Sequence, residues 1–434
     1  MPTEAAVDSR LILADHVVRE HAASFGTPLY VVDEAHLRGR VRAFRSAFAA
    51  AHPKTELTYA SKANSTLAVL RIVAEEGCLI DVASEGELRA ALAAGVPASR
   101  VHVHGNAKTA QEIAAAFEAG VSQIVVDNFE EIEQIAVTPG KCPDLMLRLA
   151  PGVDPKTHEK ISTGQADTKF GFNIADGSAE RALLRCMTLG LPVVGFHCHV
   201  GSQLLDPEAQ IGGGQHLAAF TREMQNKHGF EARVLNVGGG VGIRYTDETP
   251  EVDPVAYCSS LVAGIRKGLE GSDLDPVLVQ EPGRWIVGES CVTIYAVNNV
   301  KRVPTKTGER TYVSVDGGMS DNPRPALYQS PYPVVWVSGD GRQGNGSMTV
   351  RVAGKHCESD TLFDDKVMPT NVAGGDFLQV LCTGAYNSSM ASNYNRYSRP
   401  ATVLLREDGT RLLVQRRETW DEMFAREVLP GDIS

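Results

Sequence analysis

The sequence predicts an α/β protein built as a (β/α)8 TIM barrel with a second, mainly antiparallel β domain. Three observations carry that expectation. The 434 residues exceed one ordinary domain, although a closed α/β barrel alone takes up ~250. From about residue 55 to 285, short β-rich runs alternate with Ala/Leu/Glu-rich stretches of helical period, the pattern of parallel strands joined by crossover helices. After about residue 290 the helical period fades, and short β-prone runs follow, punctuated by Gly, Pro, Asn and Asp.

Taken in order, the first β-prone run is Leu29–Val32. No helix is read before it that would make it a barrel strand, so it is expected in the β domain, with helix Glu34–Ala50 leading into the barrel. The eight expected barrel strands are Leu57–Ser61, Leu79–Ala83, Val101–His104, Gln123–Val126, Leu145–Ala150, Val193–Val200, Val234–Val237 and Val277–Gln280. Helices Ser65–Glu76, Glu85–Ala94, Thr109–Ala119 and Phe129–Ala136 fall between the early strands. An open doubly wound sheet is the alternative. The β domain reads as Cys291–Val297, Thr311–Val315, Val334–Val337, Thr349–Val352, Phe377–Leu381, Ala401–Leu405 and Arg411–Gln415, with helical period returning only in the last twenty residues. These readings set the barrel at 34–288 and the β domain at 1–33 plus 289–434, with no solenoid repeat or low-complexity tract.

Composition narrows the function classes. Hydrophobic residues make up 43% and charged residues 22%, which fits a well-cored globular chain and excludes disordered and fibrous classes. A net charge of -11 leaves no basic surplus for nucleic acid. The N-terminus is acidic where a secretory signal is basic, and no apolar run approaches the ~20 residues of a membrane span, so a cytoplasmic protein without membrane attachment is expected. The 8 cysteines (78, 142, 186, 198, 258, 291, 357 and 382) stand singly, arguing against disulfides and zinc knuckles.

In a barrel of this kind chemistry belongs to the carboxyl ends of the strands. The first expected strand ends in Tyr59-Ala60-Ser61-Lys62-Ala63-Asn64, the sixth in His197-Cys198-His199-Val200-Gly201-Ser202, the seventh in Gly238-Gly239-Gly240 and the eighth in Gln280-Glu281-Pro282-Gly283-Arg284. A lone lysine at such a place is usually a surface residue. Here it faces a triglycine turn after strand seven, where barrels commonly bind phosphate and where missing Cβ atoms let amides approach an anion. An amine opposite a phosphate cradle is the binding logic of pyridoxal phosphate. Glu281 supplies a carboxylate for a pyridine nitrogen. His199, two residues beyond His197, supplies a flat ring for stacking; a metal pair is the alternative reading of His-x-His, but no acidic third ligand stands at suitable spacing, and no metal is expected.

These segments, together with Asp316-Gly-Gly-Met-Ser-Asp-Asn-Pro-Arg-Pro-Ala-Leu-Tyr328, Cys357-Glu-Ser and Gly384-Ala-Tyr-Asn-Ser-Ser-Met-Ala-Ser-Asn-Tyr-Asn395, resemble the diaminopimelate decarboxylases. That family belongs to the fold-type III pyridoxal-phosphate decarboxylases, which join an alanine-racemase-type barrel to a β domain. The resemblance runs from about residue 25 to 420. It implies that Lys62 is the Schiff-base lysine, His199 the ring-stacking residue and Glu281 the pyridine-nitrogen partner. It places Ser202, Gly238, Gly239, Gly240, Gly283, Arg284 and Tyr386 on the cofactor. Arg284, Arg324, Tyr328 and Tyr386 would then meet the substrate and its distal carboxylate, Glu358 the distal ammonium, and Cys357 would protonate the product carbanion. In such enzymes the Cys-Glu pair reaches the site of the second subunit of a homodimer. One departure stands out: the common Cys-Glu-Ser-Gly-Asp is here Cys357-Glu358-Ser359-Asp360, which alters the turn beside the thiol.

The resemblance implies decarboxylation of meso-2,6-diaminopimelate to L-lysine, the last step of lysine biosynthesis. A relative acting on another amino acid with a distal carboxylate, or on a carrier-bound acyl group in a secondary pathway, is the alternative. A racemase of this fold typically places an arginine at the pyridine nitrogen, which Glu281 argues against. An ornithine- or arginine-type decarboxylase has no distal carboxylate to hold, which Arg324-Pro-Ala-Leu-Tyr328 argues against.

Overall fold

The computed structural model describes residues 9–152, 169–306, 308–358 and 361–430. The chain divides into two compact units, one formed by 1–36, 245–249 and 287–434, the other by 37–244 and 250–286.

Helix α1 (Asp15–Phe25) precedes strand β1 (Leu29–Asp33), and α2 (Glu34–Ala51) follows it. The larger unit then alternates β2 (Thr55–Ala60), α3 (Leu67–Glu75), β3 (Leu79–Val82), α4 (Glu85–Ala93), β4 (Val101–Val103), α5 (Ala110–Ala119), β5 (Gln123–Val126), α6 (Phe129–Val137), β6 (Asp144–Ala150), the two-residue β7 (Phe172–Asn173), α7 (Ser178–Thr188), β8 (Val193–Cys198), α8 (Glu208–His228), β9 (Val234–Asn236), α9 (Pro254–Gly268) and β10 (Val277–Gln280). The strands pair in the order β5-β4-β3-β2-β10-β9-β8-β6, all parallel, and β5 also pairs with β6. That last pairing closes the sheet into a barrel and rules out the open alternative.

Local sequence explains the alternation. Strands covered on both faces are dominated by apolar residues, and β5, with Ile124, Val125 and Val126 after Gln123, is buried at every residue. Each crossover helix then needs a start signal. Ser84 accepts from the Glu87 amide ahead of α4, Asn128 does the same for Glu131 ahead of α6, and Thr109 forms a capping box with Glu112 ahead of α5. Phe44, Phe48, Leu70, Ile80, Ile113, Ile124 and Phe196 fill this unit's core.

The larger unit ends within α10 (Arg284–Val287), at residue 286, and the other unit continues with β11 (Cys291–Thr305), β12 (Gly308–Val315), α11 (Arg324–Tyr328), β13 (Val334–Val337), β14 (Met348–Ala353), β15 (Phe363–Met368), β16 (Phe377–Val380), β17 (Ala401–Leu405), β18 (Arg411–Gln415) and α12 (Trp420–Phe424). Its sheet runs β15-β14-β12-β11-β1-β17-β18, with β16 on β11 and β13 on β16. Most pairs are antiparallel; β1–β17 and β12–β14 are parallel.

Three expectations need correction. A helix, α1, does precede β1; its apolar positions are spread among charges in DHVVREHAASF, which hides the period, yet Val18, His21 and Ala22 are buried. β1 nevertheless lies in the β-domain sheet, between β11 and β17. Strand β11 extends eight residues beyond Val297, because its outer half pairs with β12 as an exposed hairpin whose charges and Pro304 read as loop. Strand β15 has no counterpart in the sequence reading, since its Asp364-Asp365-Lys366 centre lies on a sheet edge where charges are tolerated. Among the described residues no helix is long and apolar enough to cross a membrane.

Candidate active site

In the barrel, four neighbouring strands end in chemistry. A single 3-10 turn, Ser61–Ala63, follows β2, burying Ser61 and Ala63 while leaving Lys62 exposed. Strand β10 pairs directly with β2, so Glu281 follows the adjacent strand end. Strand β9 lies between β10 and β8 and runs into Gly238–Gly240, while β8 ends at Cys198, just before His199. The closed order therefore gathers residues that are 219 positions apart in the chain.

The triglycine turn is packed too tightly for side chains. A Cβ on Gly239 would stand 2.1 Å from the Glu281 carbonyl oxygen, and one on Gly240, whose φ is +107°, 2.3 Å from that of Gly201. The turn is also tied down by its neighbours: the Gly238 amide donates to Asn236 Oδ1 at 2.9 Å, and the Gly239 amide donates to His199 Nδ1 at 3.3 Å. That bond requires a lone pair on Nδ1. Burial favours the same neutral ring, and the nearby Lys62 ammonium adds to it, so the His199 pKa lies well below its ordinary value. The strand alternation that would align His199 with His197 ends at Cys198, and the two rings have different partners.

Glu281 is 5% exposed and heavily partnered. Asn236 donates to Oε1 at 2.6 Å and His197 donates to Oε2 at 3.1 Å. His104 Nε2 lies 3.0 Å from Oε1, an ion pair when the imidazole is protonated. Burial alone would raise the carboxyl, but His104 and His197 outweigh it and hold it well below the usual range. Burial pushes His197 down to about 4, so it serves Glu281 as a neutral donor. Arg284, 4% exposed, donates to Ser202 Oγ at 3.2 Å. Gly283 packs against Ala60 and Ala63, the residues flanking the lysine turn.

In the β domain, Arg324 opens α11 and is 6% exposed. It donates to Ser330 Oγ at 3.3 Å, and its Nε has no partner among the described residues. The Tyr328 and Tyr386 rings lie 4.9 and 5.3 Å from the guanidinium carbon, and Tyr386 holds a φ of +63°. Cys357 and Glu358 lie on an exposed segment, and Glu358 lines one pocket with Asn322, Pro325 and Ala326. The Cys357 amide donates to Asn395 Oδ1 at 3.0 Å, the Tyr394 hydroxyl donates to Glu358, and His356 stacks on Tyr394 at 5.7 Å. Ser359 and Asp360, where the sequence departs from the common family form, lie outside the described residues.

Within the barrel, the structure thus brings together Lys62, His199, Ser202, Gly238–Gly240, Glu281, Gly283 and Arg284; within the β domain it brings together Arg324, Tyr328 and Tyr386. Sequence reasoning missed Asp81, His104 and Asn236, buried polar residues around Glu281, and gave His197 no role at that carboxylate. Their signal was available: a polar residue inside an apolar strand such as Leu-Ile-Asp81-Val is informative. It also missed the acidic partner of His197, because Glu281 comes from another strand. His104, His197 and Glu281 place ligand atoms within 4.8 Å of one another, a set that also has the composition of a metal site.

The donor set fits pyridoxal phosphate. A buried, ionised carboxylate suits a protonated pyridine nitrogen, a neutral imidazole suits the ring face, and a turn with no room for Cβ presents its amides to a phosphate. Residues 34–288 match the family model for the pyridoxal binding domain of pyridoxal-dependent decarboxylases. The chain is 42% identical to diaminopimelate decarboxylase of Bacillus subtilis over 408 residues, covering 93% of this chain and 91% of that one. The crystal structure of diaminopimelate decarboxylase from M. jannaschii in complex with L-lysine is similar with a TM-score of 0.89 at 33% identity, over 98% of this chain and 97% of that one. The Helicobacter pylori enzyme, also complexed with L-lysine, is similar with a TM-score of 0.84 at 32% identity, over 94% and 98%. With the fold, the lysine turn and the buried carboxylate in place, the chain belongs to the diaminopimelate decarboxylase family of pyridoxal-phosphate-dependent carboxy-lyases.

Proposed function

We propose that the chain decarboxylates meso-2,6-diaminopimelate to L-lysine as the last step of lysine biosynthesis, as a homodimer in the cytoplasm. One observation carries the substrate choice: Arg324 is a buried guanidinium whose Nε has no partner among the described residues, flanked by two tyrosine rings. A buried cation of this kind is stable only with an anion to share, and the distal carboxylate of the substrate is such an anion.

Pyridoxal phosphate, when bound, supplies an electron sink for the pair left behind as carbon dioxide departs. The chain does the rest. Lys62 is the amine that would hold the cofactor. Glu281 would keep the pyridine nitrogen protonated, His199 would cover the ring face, and Ser202, Tyr386 and the Gly238–Gly240 amides would hold the phosphate, with Gly283 and Arg284 beside them. Arg284, Arg324 and Tyr328 take the distal carboxylate, and Glu358 takes the distal ammonium. Cys357 returns a proton to the α-carbon. The exposure of Cys357 and Glu358 supports their delivery to the site of a second copy. All eight cysteines are free, which supports a reducing compartment.

Carbon dioxide release from a panel of meso-diaminopimelate, lysine, ornithine and arginine tests the reading. The first should be the best substrate by kcat/KM; a preference for ornithine or arginine overturns it.

A further inference from the structure

Among the buried ionisable side chains of the barrel that the reaction so far does not use, one touches the site directly. His104, the residue after β4, stands between two carboxylates: its Nε2 is 3.0 Å from Glu281 Oε1 and 3.7 Å from Asp81 Oδ1, and all three side chains are at most 8% exposed. Its ring also meets His197 edge-on, with centroids 5.0 Å apart. Two carboxylates that close to one atom cannot both stay ionised in a dry interior without a cation to separate them. Asn236 and His197 give Glu281 neutral donors, which aim it but bring no charge. Arg148 brings a cation that faces both carboxylates, but its ion-pair partner is Asp127, at 3.7 Å; the cation in contact with Glu281 is His104.

We propose that His104, backed by Asp81, is a positioning residue that stands as an imidazolium beside Glu281, keeps that carboxylate ionised, and thereby sets the acid limit for holding the protonated cofactor ring. This rests on Glu281 being the ring-nitrogen partner. The groups facing His104 and its two carboxylates include His102 on β4, Arg148 on β6, His197 and Cys198 on β8, His199 just after it, Lys62 after β2 and Glu87 on α4. Burial favours a neutral His104 and Arg148 opposes its charge, yet the Asp81 and Glu281 carboxylates outweigh both and raise its pKa. His102 is pushed down by burial to about 4 and His197 likewise to about 4, so neither replaces the missing charge above that pH. Asp81 is itself lifted by burial to about 6, which marks it as the carboxyl that gives way first on acidification and spares Glu281.

The sign follows directly. With His104 charged, Glu281 keeps its proton off well below the ordinary carboxylate range. Without that charge, burial raises the Glu281 carboxyl, and it takes up a proton at a higher pH, leaving the ring nitrogen without an anion. His104→Gln keeps an N–H donor and removes the charge. Apoprotein of wild type, H104Q and E281Q is titrated with pyridoxal phosphate across a pH series, and binding is followed by quenching of intrinsic tryptophan fluorescence. The acid limb of cofactor affinity should move upward by about one pH unit in H104Q, a roughly tenfold loss of affinity on the acid side, with little change at alkaline pH. A role confined to packing would weaken binding equally at every pH. If E281Q binds the cofactor as wild type does, the assignment of Glu281 fails; if E281Q is weakened while H104Q overlays the wild-type profile, the role of His104 fails. Should H104Q not fold, the wild-type holoenzyme still decides: its visible spectrum should stay constant from about pH 8 to about pH 5, and a change within that range overturns the proposal.

Discussion

Burial pushes the Asp321 carboxyl up to about 7, even though the Tyr295 hydroxyl and the Gly318 amide both donate to it. The folded chain therefore holds this proton more tightly than the unfolded one, where the carboxyl returns to 3.8. The stabilisation is fully present below about pH 4 and is lost as the pH rises toward 7. Asp321→Asn removes the charge and keeps the shape, so the fall in melting temperature between about pH 5 and pH 8 should shrink by several degrees in the variant. Parallel Tm profiles for the two proteins would rule this out. The same residue anchors the segment that delivers Arg324, since the Tyr30 hydroxyl also donates to the Asp321 carbonyl at 2.5 Å. Arg324→Ala should lower kcat/KM on meso-diaminopimelate by roughly two orders of magnitude, the 2–3 kcal/mol of a charged hydrogen bond. A loss below about threefold would mean that another group holds the distal carboxylate. At this scale the sequence made Lys62, His199 and Glu281 readable because they stand at strand ends, where side chains face a ligand. Asp81 and His104 were harder to read, because their importance lies in contacts between β3, β4 and β10 that no local spacing records.

Among elements, the turn after β9 makes the sharpest claim. Gly239→Ala would bring a methyl to 2.1 Å from the Glu281 carbonyl oxygen, and because the obstacle is backbone, the turn or the β10 end must move. Cofactor affinity should fall at least about tenfold while the barrel still folds, since the strain falls on a loop outside the packed strands. Fluorescence titration with pyridoxal phosphate, alongside a far-ultraviolet circular dichroism spectrum, checks both halves; unchanged affinity would show that the turn is not the phosphate cradle. The barrel strands were legible for a related reason. Runs such as Ile124–Val126 are buried on both faces and carry no polar interruption. Strand β15 and the outer half of β11 were not, because an exposed edge or hairpin leaves nothing for an apolar period to record. Helix α1 failed differently, with its buried face reduced to three residues in eleven.

For the whole molecule, the decisive question is how many chains make one site. If Cys357 and Glu358 serve the opposite subunit, a Lys62→Ala homodimer and a Cys357→Ala homodimer should each be nearly inactive. After random exchange of equal amounts, half the dimers are mixed and half of their sites are intact, so activity should recover to about one quarter of wild type. Exchange confirmed by tag pull-down without recovery would show that Cys357 acts within its own chain. Subunit number was not legible in composition or period; it entered only with the resemblance, because two-fold symmetry is written in surfaces and not in spacing. The closed barrel has one further consequence, which concerns time. Because β10 pairs with β2, the Lys62 turn gains its acidic neighbour only when the last of the eight barrel strands has been made and docked. A nascent chain carries its lysine for more than two hundred residues before Glu281 exists, so full retention of the cofactor reports a finished barrel, and a chain stalled before β10 has an amine but no acid with which to hold it.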